Sequence, residues 1–157
     1  LEYKRPIYLY VGRVSIEKNI RAFLDLDLKG TKLVVGKGPD LEKLKKEYPS
    51  AIFKGERTNG ELASYFASSD VFVFPSKTDT FGIVIIEALQ CGLPVAAFPV
   101  EGPKDIFEGM KTGALNDDLK KAVLDALKID KQACIEHAKK YTWENCANIF
   151  LESAVTN

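Results

Sequence analysis

Short apolar runs alternate with amphipathic stretches along most of the chain. Ile7, Tyr8, Leu9, Tyr10 and Val11 form one run between Pro6 and Gly12, and Lys32, Leu33, Val34 and Val35 form another that ends at Gly36. Both predict buried strands. Between them, residues 17–28 place Ile20, Phe23, Leu24 and Leu28 at helical spacing, so a helix is expected to join the two strands, with Ser15 as its N-cap. Pro39 opens a second predicted helix that turns Leu41, Leu44 and Tyr48 inward. Ala51, Ile52 and Phe53 predict a short third strand, and Asn59 begins a helix carrying Leu62, Tyr65 and Phe66. Val71, Phe72, Val73 and Phe74 stop at Pro75, residues 83–90 read as a helix stopped by Gly92 and Pro94, and Val95, Ala96, Ala97 and Phe98 stop at Pro99. Five strands, apolar on both faces and joined by helical crossovers, predict an open, doubly wound, mostly parallel α/β sheet covered on both sides.

From Asp117 the pattern is wholly helical. Three closing helices are expected: one with Leu119, Ala122, Val123, Ala126 and Leu127, one with Cys134, Ala138 and Tyr141, and one with Trp143, Cys146, Ala147, Phe150, Leu151 and Ala154. No internal repeat or low-complexity linker interrupts the 157 residues, so one domain spanning 1–157 is expected.

Charge narrows the function classes. Lys and Arg total 22, Asp and Glu also total 22, and the formal net charge of zero offers no global field for nucleic acid or anionic lipid. No apolar run approaches the ~18 residues of a membrane span. Cys91, Cys134 and Cys146, with His137 as the single histidine, are too few for a zinc site or a disulfide framework, and a reducing cytoplasmic location is expected. His137 is expected at the surface, Cys91 as a packing residue, and Lys43, Lys45 and Lys46 as a solvated helix face. Asp25, Leu26 and Asp27 spell an acidic D-x-D pair, but it falls at the end of a helical pattern rather than after a strand, and no metal site is expected there. Leu1 stands first where Met would be, and a strand follows within a few residues, so the chain reads as a piece of something longer.

Open parallel sheets bind ligands beyond the carboxyl ends of their strands. After the first strand, Gly12 permits close backbone approach, and Arg13 and Lys18 put two cations beside a helix start. That combination suits phosphate, against the alternative of two solvated cations. After the second strand, Gly36 and Gly38 supply only the first two glycines of a dinucleotide fingerprint, since Leu41 stands where the third belongs. A tight turn is the expected role. After the fourth strand, Asp79 lies in a loop, Gly82 precedes a helix whose first amides belong to Ile83 and Val84, and Glu87 lies inside that apolar helix. Such a carboxylate needs solvent or hydrogen-bond donors, so Glu87 lies either on the solvent face or against ligand hydroxyls.

Taken together, Gly12-Arg13 with Lys18-Asn19, Gly36-x-Gly38-Pro39, Pro75-Ser76 through Asp79-x-Phe81-Gly82 to Glu87-Ala88, and Gly92-x-Pro94-Val95 resemble the carboxyl-terminal domain of retaining GT-B glycosyltransferases of family 4, the group 1 glycosyltransferases. The resemblance runs in order along nearly the whole chain. It implies an E-x7-E pair in which Asp79 replaces the first glutamate, one methylene shorter, and Glu87 is the second. It implies Arg13 and Lys18 on the donor diphosphate and, with Asp79, in the catalytic machinery. It implies Asp79 and the backbone of Phe81 and Gly82 at the donor sugar, and the amides of Ile83 and Val84 at sugar or phosphate oxygens. Glu87 falls to the ribose diol, and the base to the neighbourhood of Lys54, Gly55, Glu56 and Arg57, with Gly12, Gly36 and Gly38 lining the donor site.

The implied enzyme moves a hexose from a UDP- or GDP-sugar, GDP-mannose among them, to a glycan or lipid acceptor, with no metal or cofactor. The acceptor half precedes this domain in the family, so the chain is expected to hold the donor half and to perform no transfer alone. The intact enzyme is expected in the cytoplasm, peripheral to a membrane's inner face. The rival readings are a nucleotide-sugar epimerase of similar fold and a non-catalytic nucleotide-binding module. Gly102 and Pro103 are expected to help shape the cleft, and the stripe around Trp143 to be partly exposed and to drive self-association. With Asp79 on the hexose, Asp79→Asn is expected to leave diphosphate binding nearly unchanged.

Overall fold

The computed structural model describes residues 2–79 and 82–141. Six parallel strands form one sheet in the order β3-β2-β1-β4-β5-β6: β1 (Ile7–Val11), β2 (Thr31–Val35), β3 (Ile52–Phe53), β4 (Val71–Phe74), β5 (Val95–Ala97) and β6 (Gly113–Leu115). The intervening helices are α1 (Ile20–Leu24), α2 (Leu41–Glu47), α3 (Asn59–Ser68), α4 (Ile83–Gln90), α5 (Glu101–Phe107), α6 (Leu119–Ala126) and α7 (Lys131–Ala138).

The apolar runs are continuous because successive side chains point to opposite faces and both faces are covered. Ile7, Leu9, Leu33, Val35, Phe72, Phe74, Val95 and Ala97 pack with Phe66 of α3, Ile85 and Leu89 of α4, Ile106 of α5 and Cys134 of α7. Tyr8, Tyr10, Val34, Val71, Val73 and Ala96 pack with Phe23 of α1, Leu44 of α2 and Ala122 of α6. Each fully buried large side chain contributes roughly 1.5–3 kcal/mol, which is what fixes the register. The central strands β1 and β4 lie side by side although two strands and three helices separate them in the chain, so connections leave in opposite directions from this pair. The crevice at their carboxyl ends is the topological switch point where such sheets take ligands.

Four expectations need correction. A sixth strand, β6, and helix α5 lie where no element is predicted, and Gly102 and Pro103 are buried in the first turn of α5, lining neither cleft described below. The helix over residues 17–28 is instead a 3-10 turn at Ile16–Lys18 followed by α1, broken by Asn19 in the left-handed conformation (φ 57°). Ser15 flanks the 3-10 turn without a side-chain capping bond. His137 is buried, not superficial: it bonds Thr112 Oγ1 through Nδ1 and packs between the rings of Phe107 and Tyr141. The closing helix around Trp143 lies outside the described residues.

Candidate functional site

Two adjoining clefts open above the carboxyl ends of the strands. The first, of about 580 Å3, lies at the switch point between the loops after β1 and β4, and is bounded by Tyr10, Val11, Gly12, Arg13 and Lys18 on one side and Phe74, Pro75, Ser76, Asp79, Ile83, Val84 and Glu87 on the other. The second, of about 640 Å3, runs between the loops after β1, β2 and β3, and takes in Gly36, Lys37, Gly38, Pro39, Glu56, Arg57 and Leu62. Val11, Gly12 and Arg13 form the wall that both share.

Close loop packing explains the glycines. A Cβ on Gly36, whose φ is +143°, would stand 1.8 Å from the Gly12 carbonyl oxygen, and one on Gly38 would stand 2.2 Å from that of Val14. The loops after β1 and β2 are stitched by Gly12 N–H to Val35 O (3.1 Å) and Val14 N–H to Lys37 O (2.9 Å). Only residues without a side chain let these backbones approach so nearly.

The charged groups face each other across the first cleft. Lys18 Nζ stands 2.8 Å from Asp79 Oδ1, both side chains partly buried. Arg13 is mostly exposed, its Nε 3.4 Å from the Glu17 carboxylate, and so is available to an incoming anion. Glu87 lines the cleft from α4, and burial pushes its carboxyl above the usual carboxylate range, with no cation or donor among the described residues to offset it. Glu87 is thus partly buried in the wall of an open cleft, a position that solvent and ligand hydroxyls both reach. Gly82 is the N-cap of α4, and Ile83 and Val84, whose amides precede the helical hydrogen-bond ladder, line the same cleft. The exposed Ile83 side chain projects beside them. Arg57 borders the second cleft beside the Lys37–Glu56 ion pair (2.7 Å).

The structure thus brings Gly12, Arg13, Lys18, Asp79, Ile83, Val84 and Glu87 into one cleft, and Gly36, Gly38 and Arg57 into its neighbour; Phe81 lies outside the described residues. Sequence reasoning missed two supporting residues. Tyr10 donates its hydroxyl to the Arg13 carbonyl (2.6 Å), fixing that loop from below, and burial followed by the charge of Asp79 drives its pKa up. A phenol at the end of a buried strand is the signal that could have found it, because such hydroxyls seek a partner. Asn19, in its left-handed conformation, gives Nδ2–H to the Pro75 carbonyl (2.9 Å) and ties the two loops of the first cleft together.

Asp25 and Asp27 are at the other end of the sheet. Asp25 accepts from the Tyr48 hydroxyl, and the nearby Lys32 ammonium, at the start of β2, caps the carbonyls of Leu24 and Leu26. Among the described residues no three of His, Cys, Asp or Glu are grouped to hold a metal. Nor is any helix among them long and apolar enough to cross a membrane.

A family model described as "Glycosyl transferases group 1" matches residues 1–141. The chain belongs to the group 1 glycosyltransferases. It is 40% identical over 113 residues to a GDP-mannose-dependent alpha-mannosyltransferase of Mycobacterium tuberculosis, a match covering 71% of this chain and 30% of that one. It is 36% identical over 163 residues to the sulfoquinovosyl transferase SQD2 of Arabidopsis thaliana, covering 90% of this chain and 32% of that one. This glycosyltransferase chain therefore spans about a third of the length of these relatives. Its fold matches the apo form of the lipopolysaccharide outer core galactosyltransferase WaaB with a TM-score of 0.74 at 18% identity, covering 98% of this chain and 51% of that one.

Proposed function

We propose that this chain is the donor-binding unit of a retaining family 4 glycosyltransferase, whose intact form moves a hexose from a UDP- or GDP-sugar to a glycan or lipid acceptor. The observation that carries this reading is the opposition, in one switch-point cleft, of the cations Arg13 and Lys18 to Asp79, Glu87 and the amino end of α4. In this reading Arg13 and Lys18 hold the diphosphate and stabilise the negative charge that grows on the departing nucleotide. They supply the positive charge that a divalent metal brings in metal-dependent transferases. The amides of Ile83 and Val84 meet sugar or phosphate oxygens, Asp79 and the backbone of Gly82 meet hexose hydroxyls, and Glu87 takes the ribose diol, whose hydroxyls are the donors its half-buried carboxylate lacks. The base lies toward Arg57 in the second cleft. The 40% identity to a GDP-mannose-dependent enzyme favours GDP-mannose for the first trial.

Transfer needs an acceptor side to position the nucleophile and exclude water, so this chain alone binds nucleotide without transferring. Calorimetric titration with UDP, GDP, ADP and their common hexose conjugates tests the binding. The reading stands if one diphosphate family binds and Arg13→Ala with Lys18→Met abolishes it, and it falls if none binds or the double substitution has no effect. Sugar transfer by the intact enzyme, rather than donor epimerisation or no turnover, tests the reaction class.

A further inference from the structure

The donor cleft carries an ion pair of its own. Lys18 and Asp79 come from different loops, 61 positions apart in the chain, and meet at 2.8 Å in the cleft that both line. Their side chains are 30% and 29% exposed, so water screens the pair only in part and breaking it strands a half-buried charge on each wall. The bond from Asn19 to the Pro75 carbonyl holds the two loops in the register that lets the pair form.

Resting on the donor-site reading above, we propose that Asp79 competes with the donor phosphate for Lys18, and that this exchange makes the site prefer an intact sugar nucleotide over the nucleoside diphosphate left after transfer. A diphosphate that recruits Lys18 strips Asp79 of its cation. With no sugar present, the carboxylate is left half-buried near the ligand's own negative charge, which offsets much of what Lys18 contributes. An intact sugar nucleotide brings hydroxyl donors to the same carboxylate, so both halves of the broken pair are satisfied together. Lysine suits this exchange because its ammonium is a point charge on a flexible stem that re-aims between oxygens. No covalent bond changes. Affinity is shifted from the spent nucleotide to the donor, which hastens product departure.

The pair alters the expected behaviour of Asp79→Asn, which now tightens the bare diphosphate. Calorimetry on the 157-residue chain with GDP and GDP-mannose, and in parallel with UDP and UDP-glucose, tests it. Relative to the unsubstituted chain, Asp79→Asn is expected to strengthen the diphosphate by roughly fivefold, the scale of a partly exposed ion pair, while weakening the sugar conjugate. Asp79→Glu, which keeps the charge, is expected to restore the weaker diphosphate binding. In a Lys18→Met background, Asp79→Asn is expected to give no such gain. Diphosphate affinity that is unchanged or reduced in Asp79→Asn overturns the exchange while the donor-site reading stands, provided Lys18→Met weakens both ligands. If Lys18→Met alters neither ligand, the donor-site reading falls and the exchange falls with it.

Discussion

Replacing Glu87 with glutamine separates a ligand-binding carboxylate from a structural one, because affinity and stability then move in opposite directions. Glu87 sits half-buried in the wall of the first cleft, and burial alone raises its pKa. Among the described residues no side chain holds it, so none has to be displaced before a ribose diol bonds it, unlike Asp79, which is held by Lys18. Loss of hydrogen bonds to a charged acceptor costs about 1.5–3 kcal/mol, or roughly 10- to 150-fold in Kd, and the loss falls equally on nucleoside diphosphate and sugar nucleotide because both contain the ribose. A carboxyl whose folded pKa lies above its unfolded value contributes stability that is present below the unfolded pKa and lost as pH rises through the folded one. Glu87→Gln removes that loss, so at neutral pH the variant is expected to unfold at the same temperature or higher while binding far more weakly. Titration calorimetry with the matched diphosphate and sugar conjugate, alongside thermal melts, reads both. Affinities within about 0.5 kcal/mol of the unsubstituted chain for both ligands would refute the assignment of α4 to the donor site.

Tyr10→Phe removes the hydroxyl that fixes the Arg13 carbonyl, and about 1 kcal/mol of stability together with a several-fold loss of diphosphate affinity is expected, read by urea unfolding and calorimetry. Gly36→Ala forces a Cβ against the Gly12 carbonyl at a positive φ, and urea unfolding should show a loss of more than about 2 kcal/mol. His137 has its pKa lowered by burial first and by the nearby Lys140 second. Its contribution is therefore present above the unfolded value of about 6.5 and is lost as pH falls through the lower folded one. Unfolding free energy should fall as pH drops below the unfolded value, with a shallower fall in His137→Gln.

The sheet was legible because burial on both faces writes each strand as an unbroken apolar run, as at residues 7–11 and 71–74. α5 and β6 were not, since Gly102, Pro103, Gly109 and Gly113 make residues 101–115 read as loop, and what holds them is long-range: packing of Ile106 and Phe107 against the sheet and pairing of β6 with β5. The break at Asn19 was hidden because a single left-handed residue leaves the spacing of Ile20, Phe23 and Leu24 intact. His137 looked superficial because the rings that enclose it, Phe107 and Tyr141, and its partner Thr112 are remote in the chain or on another turn. The residue types of the cleft could be read from their positions after the strands. The Lys18–Asp79 pair and the Tyr10 and Asn19 supports could not, because each is a product of how the loops meet.

The central claim is that the crevice between β1 and β4 takes a nucleoside diphosphate by its phosphates. A crystal structure of the chain with GDP or UDP tests it most directly. Phosphate oxygens are expected within hydrogen-bond distance of Arg13 and Lys18, with the ribose hydroxyls on the Glu87 carboxylate and the base toward Arg57. A nucleotide bound elsewhere on the molecule, with Lys18 still paired to Asp79 and Glu87 untouched, would contradict it.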